Sequence, residues 1–142
     1  MFSDGATAQM GWRRVFRNAV LFAGISILLL LGRLTVLSAQ HYRDAEAAKK
    51  NGRYETALKS YNEAIKNYYP GSPYSYWSAQ KSLGLIDAYR AEGKTAEEEL
   101  ALRDAQAAFY SIRSFYQPYR ESLRAIEERM TRIEAQNNGV RS

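Results

Sequence analysis

Asn51–Pro70 reads NGRYETALKSYNEAIKNYYP. Ala57, Tyr61 and Ala64 are spaced four and then three residues apart, so in a helix they share one face. The two alanines let a second helix come close, and the tyrosine ring fills the gap between them. Ahead of them, Asn51-Gly52 is a pair that tolerates the left-handed conformation closing a helix. The spacing predicts a helix ending at Gly52, a tight turn, and a second helix made to pack through its small-residue face.

Working outward, no Gly or Pro interrupts Leu34 to Asn51. A helix can therefore run from the apolar segment upstream straight into His41–Lys50 (HYRDAEAAKK). Downstream, Tyr76-Trp77 through Tyr89 has Leu83, Leu85-Ile86 and Tyr89 at helical spacing. Gly93 punctuates there as Gly52 does, and a further helix is expected from Thr95-Ala96, with Glu97–Glu99 favourably placed against its N-terminal dipole. Val and Thr are sparse and Pro occurs only at 70, 73 and 118. The expected fold is all-α: one N-terminal transmembrane helix continuing into a bundle of four to five helices.

The 51–70 segment resembles the second half of a tetratricopeptide repeat. Gly52 and Tyr54 fit that family's turn, Ala57 and Ala64 its small positions, Tyr61 its aromatic, and Pro70 its closing proline one residue late. Ala45 and Ala48 stand in the preceding helix, although Asp44 takes the family's usual leucine position. A second, weaker unit surrounds Gly93, 41 residues on, against the family's period of about 34. The longer step fits a long connection at Tyr68–Tyr76. The resemblance implies stacked helical hairpins that bind proteins or peptides through helix grooves.

The C-terminal stretch has its own period. Leu102, Ala105, Phe109, Ile112, Tyr116, Tyr119, Leu123, Ile126, Met130 and Ile133 alternate steps of three and four. That makes an apolar stripe of heptad type. Pro118 within it removes a helical hydrogen bond, so the stripe is either one kinked helix or two helices meeting near Gln117. The stripe suits a partner helix. Residues 136–142 read as a tail.

Asn18–Gly32 (NAVLFAGISILLLLG) holds 15 residues without a charge, about 22 Å of helix. Extended through Arg33 to Ala39 it reaches the roughly 30 Å of a hydrocarbon core. Residues 18–39 are thus expected to span a membrane, after a short basic flank (1–17) and before a helical domain (40–135). Trp12 fits an interfacial position, and Arg33 either snorkels to the interface or meets an acidic partner. A cleaved signal peptide competes, because Val36–Ala39 offers small residues and Arg13-Arg14-Val15-Phe16 faintly echoes a twin-arginine signal. Arg33 and Leu37 fit that reading poorly. Arg13, Arg14 and Arg17 before the span favour a cytoplasmic N-terminus in a bacterial inner membrane, with the domain periplasmic. Arg43, Lys49, Lys50 and Arg53 on the other side nearly balance them.

The net charge of +5 does not describe a nucleic-acid binder. Residues 1–39 hold four arginines against Asp4. The remainder holds 16 Lys/Arg against 14 Asp/Glu, well mixed, where nucleic-acid recognition wants positive charge gathered on one face. There is no cysteine and a single histidine, His41, at the expected membrane boundary. Glu97–Glu99 are consecutive and point in three directions. No catalytic group, metal or cofactor is expected, nor a small-molecule substrate. What stands out is aromatic: Tyr68, Tyr69, Tyr74, Tyr76 and Trp77 crowd one Pro/Gly-punctuated stretch, either as a protein interface or as part of the domain's own core. The expected partners are lipid bilayer and other subunits of a membrane complex. The expected role is a scaffold or accessory subunit, or alternatively an adaptor that captures polypeptide clients beside a secretion or import machinery.

Overall fold

The computed structural model describes residues 5–112 and 117–139, with side chains described over 12–112 and 117–136. Five helices follow in order: α1 (Gly5–Lys50), α2 (Tyr54–Lys66), α3 (Pro73–Ala91), α4 (Thr95–Ser111) and α5 (Arg120–Gly139). Among the described residues there is no strand. The chain divides into two compact units, one ending at Arg33 and the other beginning at Leu34, so α1 contributes to both.

In the first unit, α1 is long and apolar enough to cross a membrane. Val15, Phe16, Val20, Leu21, Phe22, Ile25, Ile27 and Leu28–Leu30 are all exposed on it. A helix apolar all round has no face to turn toward water.

The second unit is built on small residues. Ala45 and Ala48 of α1, Ala57 and Ala64 of α2, Ala79 of α3, and Ala101, Ala105 and Ala108 of α4 are all buried. Between them lie the larger side chains Tyr61, Ile65, Ile86, Leu102, Phe109 and Ile126, all fully buried. Each large apolar side chain enclosed this way contributes about 1.5–3 kcal/mol of transfer free energy. Helix α2 packs on both α3 and α4, α3 packs on α4, and α5 packs on α4.

The two turn glycines close their helices by the same device. Gly52 has φ +71° and Gly93 φ +70°. The Arg53 N–H reaches back to the Ala48 carbonyl (3.0 Å) and the Gly52 N–H to Lys49 (3.0 Å). Likewise the Lys94 N–H reaches Tyr89 (3.0 Å) and the Gly93 N–H reaches Arg90 (3.1 Å). This pair of bonds satisfies orphan carbonyls at the end of α1 and α3, and it needs a residue at ease with positive φ.

Two boundaries differ from the sequence reading, and of the two alternatives for the C-terminal stripe the structure takes the two-helix one. Helix α3 begins at Pro73, before Tyr76-Trp77, because the Ser72 side chain caps it by accepting from the Ser75 N–H and Pro73 occupies its first turn. The stripe at 102–133 is carried by two helices: α4 ends at Ser111 and Pro118 precedes α5. Helix α5 also runs on to Gly139, past the point where the tail was expected.

Candidate protein-interaction surfaces

Trp12 and Arg33, the expected anchor residues, are both exposed. The packed unit begins inside the expected 18–39 span. Ser38 is fully buried, and its hydroxyl donates to the Ala64 carbonyl at 3.2 Å. Ser75 of α3 donates to the same carbonyl at 2.9 Å. Ala64 lies in the last turn of α2, where carbonyls have no helical partner, so two serines from two other helices satisfy it. Small hydroxyl side chains allow this close approach and bring their own hydrogen bonds. Ser82 extends the polar seam by donating to Asn62 Oδ1 at 3.4 Å. These serines are invisible to a search for apolar periodicity. Their spacing of three to four residues along α3 (Ser75, Ser78/Ala79, Ser82, Ile86) was the available signal.

Of the expected repeat-packing residues, Ala57, Tyr61 and Ala64 are fully buried together, and Gly52 makes the left-handed turn. Tyr54 and Pro70 are exposed. The Tyr61 ring lies 6.0 Å from that of Tyr42, centroid to centroid, and its hydroxyl donates to Glu46 Oε1. Burial, then the hydrogen bond to Glu46 and that carboxylate's charge, push the Tyr61 hydroxyl well above its ordinary value.

The aromatic residues expected at a protein interface divide into two groups. Tyr74 and Trp77 meet edge-on at 5.5 Å, and both lie about 6 Å from Tyr42 of α1. Tyr119 stands against Tyr68 (5.7 Å), Phe109 (5.9 Å) and Tyr76 (6.2 Å). Its backbone has φ +61°, a left-handed conformation that costs a non-glycine residue about 1 kcal/mol or more; the three surrounding rings hold it there. The Tyr69 hydroxyl accepts from Thr35 Oγ1 at 3.0 Å. Most of these rings therefore join elements of this chain. Tyr76 (48 % exposed) and Trp77 (44 % exposed) also show substantial area to the outside.

The apolar stripe, expected to suit a partner helix, is turned inward. Phe109 and Ile126 are fully buried and Leu123 nearly so. Ile112, Tyr119 and Met130 pack partly buried against the same core. The stripe's phase survives Pro118 because α4 and α5 face each other, so the apolar side of each is the other's partner. Tyr116 lies outside the described residues.

Glu97–Glu99 point in three directions, as consecutive helical positions do. Glu98 is buried, Glu99 pairs with Arg103 at 2.6 Å, and only Glu97 is exposed. A polar depression between α3, α4 and α5 carries Arg90, Arg129 and Arg132 beside Glu98. Arg129 Nη1 stands 2.7 Å from Asp87 Oδ1, yet the N–H is poorly aimed for a hydrogen bond. We read the contact as an ion pair by proximity. Among the described residues no group of three or more His, Cys, Asp or Glu is placed to hold a metal ion.

One surface was not anticipated. Leu58 and Lys59 of α2, Tyr89 of α3, and Leu100, Ala101 and Asp104 of α4 line a groove of about 290 Å³, with Glu55 and Glu97 at its rim. Its floor is mostly carbon, and Leu100 is 57 % exposed in it. The signal in the sequence was Leu100 itself, which falls outside the buried register of Ala101, Leu102 and Ala105.

Neither the protein-family models, the curated proteins nor the solved structures hold a match to this chain.

Proposed function

We propose that this chain is a membrane-anchored helical scaffold of tetratricopeptide type, an accessory subunit that binds other proteins and stabilises a bacterial membrane complex. The observation that supports this is the double use of α1. One helix carries an exposed apolar segment on its first part and, on its second, Ser38, Ala45 and Ala48 buried in the helical domain. The chain thus passes from a lipid-compatible surface into a folded protein module within a single helix, which suits a fixed subunit. The single-pass topology with a cytoplasmic N-terminus belongs to the same proposal, carried by Arg13, Arg14 and Arg17 ahead of the apolar run.

The test is purification of the full-length chain from its native membrane in mild detergent, with the mass of the assembly measured directly. A larger assembly of fixed stoichiometry is expected. A monomer without companions overturns the subunit reading, and sub-stoichiometric, salt-labile companions favour the client-capturing adaptor instead.

A further inference from the structure

The groove between α2 and α4 has a charge pattern that narrows what can fill it. Its lining carries three carboxylates, Glu55, Glu97 and Asp104, against one ammonium, Lys59. That ammonium is engaged, standing 2.7 Å from Glu55. Lys94 at the next depression along is likewise held, 2.6 Å from Glu92. Arg53 lines that depression as well, so across the two the carboxylates Glu55, Glu92, Glu97 and Asp104 outnumber the cations Lys59, Lys94 and Arg53 by one, while in the groove's own lining the excess is two. The field is felt by the tyrosine that closes the groove. Burial first, then Glu55, Glu97 and Glu92 against an opposing Lys94, raises the Tyr89 hydroxyl above its ordinary value. The groove thus combines a carbon floor, an aliphatic side chain left more than half exposed, and a rim with net negative charge.

We propose that this groove is a docking site for a cationic amphipathic helix of a protein partner. This deepens the protein-binding reading above and rests on it. An apolar residue of the partner covers Leu100 and Ala101 between Leu58 and Tyr89, and Lys or Arg one turn to either side faces Glu97 and Asp104. Helix-in-groove recognition takes its affinity from the buried apolar anchor, while the charges choose the partner and its direction. An acidic or neutral helix would gain the same floor and leave the two carboxylates facing either repulsion or nothing.

The probe is a fluorescent Leu/Lys peptide of about 14 residues, roughly four helical turns, with its leucines on one stripe. Its counterpart carries Glu in place of Lys. Both are titrated against the full-length chain in phosphatidylcholine nanodiscs, with empty nanodiscs subtracted. The Lys peptide is expected to bind at least about tenfold more tightly than the Glu peptide, and to weaken as salt is raised. L100A is expected to lower its affinity about tenfold, and E97K/D104K to invert the preference between the two peptides. All three positions are exposed, so helical content should hold and L100A should leave the thermal midpoint unchanged. E97K gives up a favourable charge in the first turn of α4 and lowers the midpoint slightly, and E97Q/D104N serves if the charge reversal disturbs folding. No binding, equal binding of both peptides, or affinities unmoved by these variants overturns the proposal. So does a concentration-dependent dimer of the wild type that L100A dissolves, because the occupant is then a second copy. If the native assembly persists while the peptides ignore the variants, the groove loses its role and the scaffold reading stands. A monomeric chain in native membrane overturns that reading by itself.

Discussion

Leu28, Leu29 and Leu30 belong to the same helix as Ala45 and Ala48, yet the leucines are exposed and the alanines are buried. In the domain the usual arrangement holds: Leu102 is fully enclosed and charged residues such as Glu55 and Lys59 face outward. The first part of α1 inverts it, with large apolar side chains on every side. What separates the two parts of α1 is the size of side chain, and size follows from what must fit alongside. Helices packed on helices need small residues where backbones approach, hence alanine and serine at 38, 45, 48, 57, 64 and 75. The first part of α1, long and apolar enough to cross a membrane, has no neighbour of that kind to admit and carries bulk with no polar face, as the leucine run does.

The most direct way to break this comparison is to charge the leucine run. L28R/L29R puts two guanidinium groups into the middle of the apolar segment, at a cost of about 2.5–3.5 kcal/mol each by insertion scales. The expected outcome is loss of the chain from carbonate-washed membranes, with the helical domain still folded and protease-resistant. Membrane association that survives both arginines removes the anchor. On the packed side, F109A should cost about 3–5 kcal/mol, since it empties a fully enclosed site between α4 and the Tyr119 cluster. In a domain of this size that is a large share of the total stability, read as a drop in the urea midpoint. A loss below about 1 kcal/mol would mean the stripe is not core, and would return it to the role of a partner-binding face.

How much of this was legible depended on whether the deciding neighbours lie close in sequence. Ala57, Tyr61 and Ala64, with Gly52 and Gly93, are local signals, because helix spacing and a left-handed turn are set within a few residues. The uncharged run at 18–32 is local too. The stripe from Phe109 to Ile133 was legible as an apolar face, but its period does not say whether the facing helix belongs to this chain. That answer depends on the turn around Pro118 and Tyr119. The buried serines were missed because hydroxyls read as surface when nothing in the sequence shows that Ala64 offers them an orphan carbonyl. The groove was missed for a related reason. Leu58, Tyr89 and Leu100 sit on three helices, and only tertiary packing brings them together.

The finest cut at the comparison is a single hydroxyl. In the packed part of α1, Glu46 receives the Tyr61 hydroxyl, so the tyrosine is enclosed as a ring and held by its polar tip. Y61F keeps the ring and removes the bond, and should cost about 0.5–1.5 kcal/mol near neutral pH. The pH dependence gives a second reading. The hydroxyl's ionisation is raised in the folded chain above its ordinary value of 10.0, so the fold favours the neutral phenol. That contribution is fully present below about pH 10 and is lost as pH rises beyond it, by up to about 1.4 kcal/mol per pH unit. The Y61F chain has no hydroxyl to ionise at this position and escapes this part of the loss. Urea midpoints of the two chains should therefore converge, and then cross, as pH is raised from about 8 to about 11. Tyr42 and Tyr89 are raised as well, and Tyr42 shares Glu46 with Tyr61, so the same pair of chains compared in a Y42F background isolates the Tyr61 hydroxyl. A gap that stays constant across that range would mean Tyr61 ionises no differently in the folded and unfolded chains, so that neither the enclosure of its ring nor the Glu46 bond holds the hydroxyl neutral.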